Sequence, residues 1–111
     1  MTTFATTTTD STLIVRPNGR LDLVAAPELR EIVAKSIAGG VVNVVVDLAD
    51  VDFLDSSGLG ALVTGLKSTR QAGGNLRIAS ATEQALIVLD LTMMQQVLFP
   101  YPSVEAALEA P

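Results

Sequence analysis

Residues 41–48 constrain the fold more than any other segment, because they are almost all β-branched or aliphatic. They read Val-Val-Asn-Val-Val-Val-Asp-Leu. A strand with one face in water alternates apolar and polar side chains, whereas a strand covered on both faces is nearly continuously apolar. The segment therefore predicts the central strand of a parallel or mixed sheet on which helices pack.

The residues at the start of the chain predict a pair of strands. Phe4–Thr9 is rich in threonine, and Thr12–Arg16 reads Thr-Leu-Ile-Val-Arg. β-Branched residues favour strands, and the short Asp10-Ser11 step between the two runs is typical of a tight turn. Asn18-Gly19 is expected to end the second strand.

Helices and short strands alternate along the rest of the chain, with the Asp-rich segment after residue 48 interpreted as a turn. The predicted elements are a helix from Pro27 to Gly39-Gly40, a helix marked by Leu59, Leu62, Val63 and Leu66 that stops at Ala72-Gly73-Gly74, a strand over Asn75–Ala79, a helix from a Ser80–Glu83 capping box to Leu91, a strand at Val97–Phe99, and a helix over Ser103–Glu109. This order predicts an α/β sandwich with a small mixed β-sheet and about four helices, in a single domain spanning 1–111.

Composition and charge argue against several classes of function. With 49% hydrophobic and 17% charged residues, the 111-residue chain is globular rather than disordered. Its net charge of −5 repels phosphate backbones and anionic lipid, so neither nucleic acid nor membrane is an expected partner. The chain has no cysteine and no histidine, which removes thiolate chemistry and the commonest general base. No signal peptide or membrane-spanning run is evident, so a cytoplasmic protein is expected. The chain is also expected to need no cofactor.

The segment Asp55-Ser56-Ser57-Gly58 is a candidate chemical site, because it lies where a strand gives way to a helix. A nucleophilic Ser56 would make the chain a small hydrolase. The Gly-x-Ser-x-Gly elbow and a histidine base are both missing, although a Ser/Lys pair with Lys35 or Lys67 stays open at this point.

Two other patterns carry less information. The carboxylates Asp22, Asp50, Asp52 and Asp55 lack the spacing of a calcium loop, so they are interpreted as a solvated acidic rim and no metal is expected. Glycines occur at 58 and 60 and at 73 and 74, but neither pair is followed by the Gly-Lys-Ser/Thr of a phosphate-binding loop.

Residues 44–62 resemble the signature of STAS domains, and especially of the bacterial anti-sigma factor antagonists. They read Val-Val-Val-Asp-Leu-Ala-Asp-Val-Asp-Phe-Leu-Asp-Ser-Ser-Gly-Leu-Gly-Ala-Leu. Gly19-Arg20-Leu21-Asp22 matches the Gly-x-Leu-Asp element of the family, and Gly73-Gly74 matches the turn after its second helix. The order of elements agrees over essentially the whole chain. The pattern is less specific for the subfamily, because stressosome, lipid-transport and transporter-attached STAS domains share the fold.

The resemblance implies a phosphorylation switch. An unphosphorylated antagonist binds an anti-sigma factor that is also an ATP-dependent serine kinase, frees the sigma factor, and is turned off when that kinase phosphorylates it. The phosphoacceptor of the motif is the serine directly after the aspartate, which here is Ser56. A serine phosphatase would reset the switch, and the free protein is expected to be a monomer that is not an enzyme. The alternative is a scaffold module of the stressosome or lipid-transport type, without a phosphoswitch.

The residues around Ser56 define an expected docking surface that runs from Asp55 to Lys67. Ser57 is interpreted as the N-cap of the helix, which leaves Ser56 exposed. Asp22 has no evident local partner, and its match to the family motif places it near Ser56. The expected partner-binding residues are Asp22, Asp55, Ser56, Ser57, Gly58, Gly60, Ala61, Thr64 and Lys67.

One face of the second helix carries only small residues. Successive residues of a helix are rotated by about 100°, which places five small residues on the side opposite the apolar stripe. They are Ser57, Gly60, Ala61, Thr64 and Ser68. Glycine within a helix lowers helix stability by about 1 kcal/mol relative to alanine. We therefore interpret this face as a low surface that a partner can approach closely. The alternative is that another part of the same domain covers this face.

Overall fold

The computed structural model describes residues 1–111 and contains six strands, four α-helices and one 3₁₀ turn. The strands are β1 (Thr3–Thr9), β2 (Thr12–Leu21), β3 (Asn43–Asp47), β4 (Val51–Leu54), β5 (Asn75–Ala79) and β6 (Pro100–Tyr101). The helices are α1 (Ala26–Ala38), α2 (Ser56–Gln71), α3 (Glu83–Leu91) and α4 (Val104–Glu109), and the 3₁₀ turn spans Met94–Gln96. This mixed α/β arrangement confirms the predicted fold class.

The strands form one sheet in the order β1-β2-β3-β5-β6, and β4 pairs with the end of β2. β1 is antiparallel to β2, and all other pairs are parallel. β3 lies between β2 and β5, so the prediction of a central strand is confirmed. Its side chains alternate between two apolar clusters. Val44 and Val46 belong to the main core, whereas Val45 packs with Ala107 of α4 in a smaller cluster on the other face.

The helices cover the sheet unequally. α1 and α2 pack side by side, and their buried residues Leu29, Val33, Leu62 and Leu66 join the main core on one face of the sheet. The short α4 packs on the opposite face against β3 and β5. None of the helices has the length and apolar character needed to cross a bilayer.

The opening hairpin has the tight turn that the sequence predicts. Thr9 and Thr12 pair across it, and the two turn residues, Asp10 and Ser11, have φ values of 47° and 67°. Two consecutive left-handed residues form the turn whose twist matches that of the flanking strands.

The second strand is longer than predicted, because Asn18-Gly19 does not end it. Gly19 has a φ of +115°, and the register of β2 shifts between Gly19 and Arg20. Thr12–Val15 of β2 pair with β3, whereas Gly19, Arg20 and Leu21 pair with β4, and the register shift falls within this second pairing. The glycine therefore turns the strand toward a second partner.

The interpretation of residues after 48 as a turn alone is wrong. Val51–Leu54 form a strand that pairs in parallel with the end of β2, and Val51 and Leu54 at its two ends are buried. Three residues, Leu48 and the turn residues Ala49 and Asp50, separate β3 from β4. This short strand brings the start of α2 against the end of β2.

Two boundaries in the C-terminal half also differ from the predictions. Thr82, rather than Ser80, caps α3, and its hydroxyl oxygen accepts a hydrogen bond from the Ala85 N–H. The last strand is β6 at Pro100–Tyr101, not Val97–Phe99, because Leu98 turns into the core directly after the 3₁₀ turn.

A close backbone contact fixes α2 on the sheet. Gly58, in the first turn of α2, is buried against β2. A Cβ at this position would overlap the carbonyl oxygen of Leu21 and lie 2.9 Å from Leu54 Cδ1. At Gly60 a Cβ would have no neighbouring atom within 4 Å. Gly58 is thus required by packing, whereas Gly60 is not.

The two glycines should respond oppositely to alanine. Gly58→Ala is expected to destabilise the domain by about 2 kcal/mol or more, because backbone must move to admit the methyl group. Gly60→Ala should stabilise it by up to about 1 kcal/mol through helix propensity. Urea unfolding followed by circular dichroism measures both. Equal effects of the two substitutions would contradict the close packing of α2 on Leu21.

Candidate functional site

The candidate site lies at the N-terminus of α2, where β4 ends. Asp55 is the N-cap of α2, in extended conformation, and its Oδ1 accepts a hydrogen bond of 2.9 Å from the Gly58 N–H. The prediction that Ser57 is the cap is therefore wrong. Ser56 is exposed, and neither its hydroxyl nor that of Ser57 makes a hydrogen bond within the chain. The fold uses the aspartate and leaves the adjacent serine hydroxyl free.

The same aspartate connects α2 to the turn between β2 and α1. Asp55 Oδ2 accepts a hydrogen bond of 3.3 Å from the Leu23 N–H, and the Asp55 N–H donates to the Leu21 carbonyl at 3.4 Å. The β2–α1 turn, residues 22–25, is thereby held against the first turn of α2.

Asp22 has several local partners that its place in the sequence does not reveal. Its Oδ1 accepts hydrogen bonds from the N–H groups of Val24 and Ala25 at 3.1 and 3.2 Å, and its Oδ2 lies 3.3 Å from Arg20 Nε. These interactions lower the pKa of Asp22 below 3.8, and the hydrogen bond from Ala25 is the largest cause. The expectation that Asp22 lacks a local partner is wrong, since its carboxylate orders the β2–α1 turn.

A glutamine from α3 fixes the other side of the site. The Gln84 side-chain amide accepts from the Leu54 N–H at 2.8 Å and donates to the Leu54 carbonyl at 2.9 Å. This pair of bonds replaces the strand neighbour that β4 lacks on that edge. Sequence reasoning missed Gln84, because its partner lies 30 residues away and no local pattern marks it.

Two exposed apolar residues also went unnoticed in the sequence. Leu23 and Val24 are 70% and 87% exposed, although apolar residues before an amphipathic helix commonly pack on it. They lie in the turn that Asp22 and Asp55 order. The site therefore combines a free serine hydroxyl with two exposed apolar side chains.

The residues of α2 that were predicted to face a partner differ in their exposure to solvent. Ser56, Thr64 and Lys67 are exposed, and Ser57, Gly60 and Ser68 are half-buried. Ala61 is fully buried in the main core, and Gly58 is buried as described above. The prediction that Ala61 lies on the side of α2 facing away from the core is therefore wrong. Val63, expected in the buried stripe, is only half-buried at its edge.

Neither the Ser/Lys pair nor a cluster of metal-ligating side chains is found in the structure. Lys67 lies eleven residues beyond Ser56 on the same helix, an axial separation of about 16 Å. A general base needs contact within about 3 Å of its serine. Lys35 instead pairs with Glu31 at 3.0 Å. The acidic side chains form no group of three that could hold a metal ion.

Comparisons with known proteins match this geometry to one family. The STAS domain family model matches residues 3–107. An anti-sigma-B factor antagonist of Staphylococcus epidermidis is 34% identical over 93 residues, which cover 84% of this chain and 86% of that protein.

Solved structures agree with this match. A putative anti-sigma factor antagonist from Thermotoga maritima has a TM-score of 0.88 at 29% identity, with 96% of this chain and 92% of that chain covered. The Bacillus cell fate determinant SpoIIAA in its phosphorylated form has a TM-score of 0.74 at 19% identity, with 96% and 97% covered, and so shares the fold. The chain belongs to the STAS domain family and, within it, to the anti-sigma factor antagonists.

Proposed function

We propose that this chain binds an anti-sigma factor that is also an ATP-dependent serine kinase, and that phosphorylation of Ser56 by that kinase ends the binding. The observation that carries the proposal is the free, exposed hydroxyl of Ser56 beside the capping carboxylate of Asp55. A serine phosphatase then resets the switch. The chain itself acts as a regulator without catalysis or a cofactor.

The fold can accept a phosphoryl group on Ser56 without rearrangement. Ser56 is the first residue of α2, where the helix dipole favours negative charge. A phosphate adds about −1.5 to −2 charges at neutral pH, next to the Asp55 carboxylate. On the exposed surface of the free protein, water screens this repulsion.

In a complex with a partner, the phosphate would lose the water that screens its charge. Arg20 contacts Asp22 and stacks over the Phe53 ring, 4.1 Å from its centroid, so a phosphate would have to compete with both groups for it. Burying the phosphate in an interface would remove its water without providing a counter-ion, at a cost of several kcal/mol. Phosphorylation thus blocks association while the domain stays folded.

Two relatives support this proposal. The Staphylococcus epidermidis relative is described as an antagonist of an anti-sigma factor, and SpoIIAA has been solved in a phosphorylated form. If the chain is instead a scaffold module without a phosphoswitch, Ser56 should stay unmodified in the presence of such kinases.

The docking surface that we propose is the part of the predicted one that solvent reaches. It comprises the β2–α1 turn with Asp22, the first turn of α2 with Asp55, Ser56 and Ser57, and the half-buried Gly60 with the exposed Thr64 and Lys67. Gly58 and Ala61 are excluded from it because both residues are buried.

Phosphorylation should depend on Ser56 alone. Ser56→Ala should abolish incorporation of labelled phosphate from ATP by the cognate anti-sigma kinase and leave binding largely intact, because the substitution removes only a free hydroxyl. Ser57→Ala is the matched control and should still be labelled. Mass spectrometry of the labelled protein locates the phosphate, and label that persists in Ser56→Ala but disappears in Ser57→Ala would move the acceptor to Ser57.

The stripe on α2 should tolerate a larger side chain in the free protein but not in the complex. Thr64→Gln introduces a better helix former at an exposed position, so the free energy of unfolding should hold or rise by a few tenths of a kcal/mol, on the order of 0.3. Affinity for the anti-sigma kinase should fall at least about fivefold, because the side chain obstructs close approach. Unchanged affinity in a well-folded variant would mean that the partner docks elsewhere.

The Asp22 carboxylate should make the stability of the domain depend on pH. A pKa lowered on folding means that the stabilisation is present above the ordinary pKa near 3.8 and is lost as the pH falls through the folded value. The difference in unfolding free energy between the natural protein and Asp22→Asn should therefore be constant near neutrality and shrink below about pH 4. Asp50→Asn removes an exposed carboxylate without hydrogen bonds and serves as the control. A difference that grows at low pH would contradict the assignment.

A further inference from the structure

The β2–α1 turn presents two neighbouring apolar side chains to solvent. Leu23 and Val24 are 70% and 87% exposed, whereas the next two residues, Ala25 and Ala26, are buried. The chain therefore reaches the apolar core at Ala25 and Ala26, yet the two larger side chains just before them lie outside the core. Nothing in the packing of the domain accounts for their position.

These side chains are presented by an ordered backbone. The Leu23 N–H donates to Asp55 Oδ2, and the Val24 N–H donates to Asp22 Oδ1. The Asp22 carbonyl also accepts from the Ala26 N–H at 2.8 Å, which starts α1. A partner that covers the turn consequently has little backbone entropy to remove.

The charges beside the turn indicate the chemistry of that partner. Val24 borders an open groove of about 680 Å³ whose lining includes the carboxylates of Asp22, Glu28 and Asp52. The guanidinium of Arg20, also in the groove, is engaged by Asp22 and Phe53. A complementary surface has an apolar centre and basic groups at its rim. A second copy of this chain would bring carboxylates against carboxylates, so the occupant is a different protein.

We propose that Leu23 and Val24 are the apolar anchor by which this chain binds the anti-sigma factor. The proposal rests on the proposed function and adds the residues that supply most of its affinity. Buried apolar side chains surrounded by a polar rim dominate many interfaces of this kind. Because Asp55 holds Leu23, a phosphoryl group on Ser56 would keep water at the edge of the anchor, which explains how one modification releases the whole surface.

The test compares two double variants with similar exposed fractions. Leu23→Ser with Val24→Ser removes the anchor, and Leu91→Ser with Met93→Ser removes an apolar pair that is 78% and 77% exposed at the far end of α3. Each purified variant is titrated calorimetrically with the anti-sigma serine kinases of the organism, in the presence of a non-hydrolysable ATP analogue so that Ser56 stays unmodified. Thermal unfolding reports the fold of each variant, and the single variants Leu23→Ser and Val24→Ser give the same comparison if the double variant unfolds.

The anchor variant should fold normally and lose at least about tenfold in affinity, whereas the α3 variant should bind like the natural protein. Equal binding by the anchor variant and the natural protein would overturn the inference and leave the proposed function standing. So would a loss confined to the α3 variant. If the natural protein binds none of these kinases, the proposed function fails, and the anchor fails with it.

Discussion

The carboxylate of Asp55 joins two parts of the chain that are 32 residues apart in sequence. One of its oxygens caps α2 through Gly58, and the other holds the β2–α1 turn through Leu23. A capping serine has a single hydroxyl oxygen, whereas the carboxylate has two oxygens, one for each of these separately placed donors. The placement of Ser56, of the turn and of the small stripe on α2 all follow from this double contact. Gly58 makes it possible, since a side chain there would push α2 away from β2.

The elements predicted correctly are those whose sequence pattern agrees with their packing. The central strand at 41–48 is apolar on both sides because α1 and α2 cover one face and α4 the other. The short strand β4 was missed because its few residues are flanked by aspartates that favour a turn. Its partner is the end of β2, a segment that is distant in the sequence and meets β4 only in the folded sheet. The sequence of β4 alone therefore does not reveal that it pairs with β2.

The candidate site shows the same division between local and distant information. The motif resemblance singled out Ser56 and its neighbours, and the structure places them together at one exposed end of α2. The identity of the cap, the partners of Asp22 and the contact of Gln84 depend on backbone groups that meet only after folding. Ala61 was assigned to the wrong side because helical periodicity gives the angle of a residue around its helix but not the width of the surface that neighbouring elements cover.

The threonine-rich strand β1 has a consequence for the dynamics of the domain. It bonds to β2 alone, and Phe4 is its single side chain packed on the main core. Strands with so few buried contacts open at a lower free energy than the centre of a sheet, so its amides should exchange with solvent ahead of those of β3. Each opening would uncover the edge of β2, where Leu13 and Val15 are buried. β1 thus covers an edge of β2 whose free backbone groups could otherwise pair with another strand.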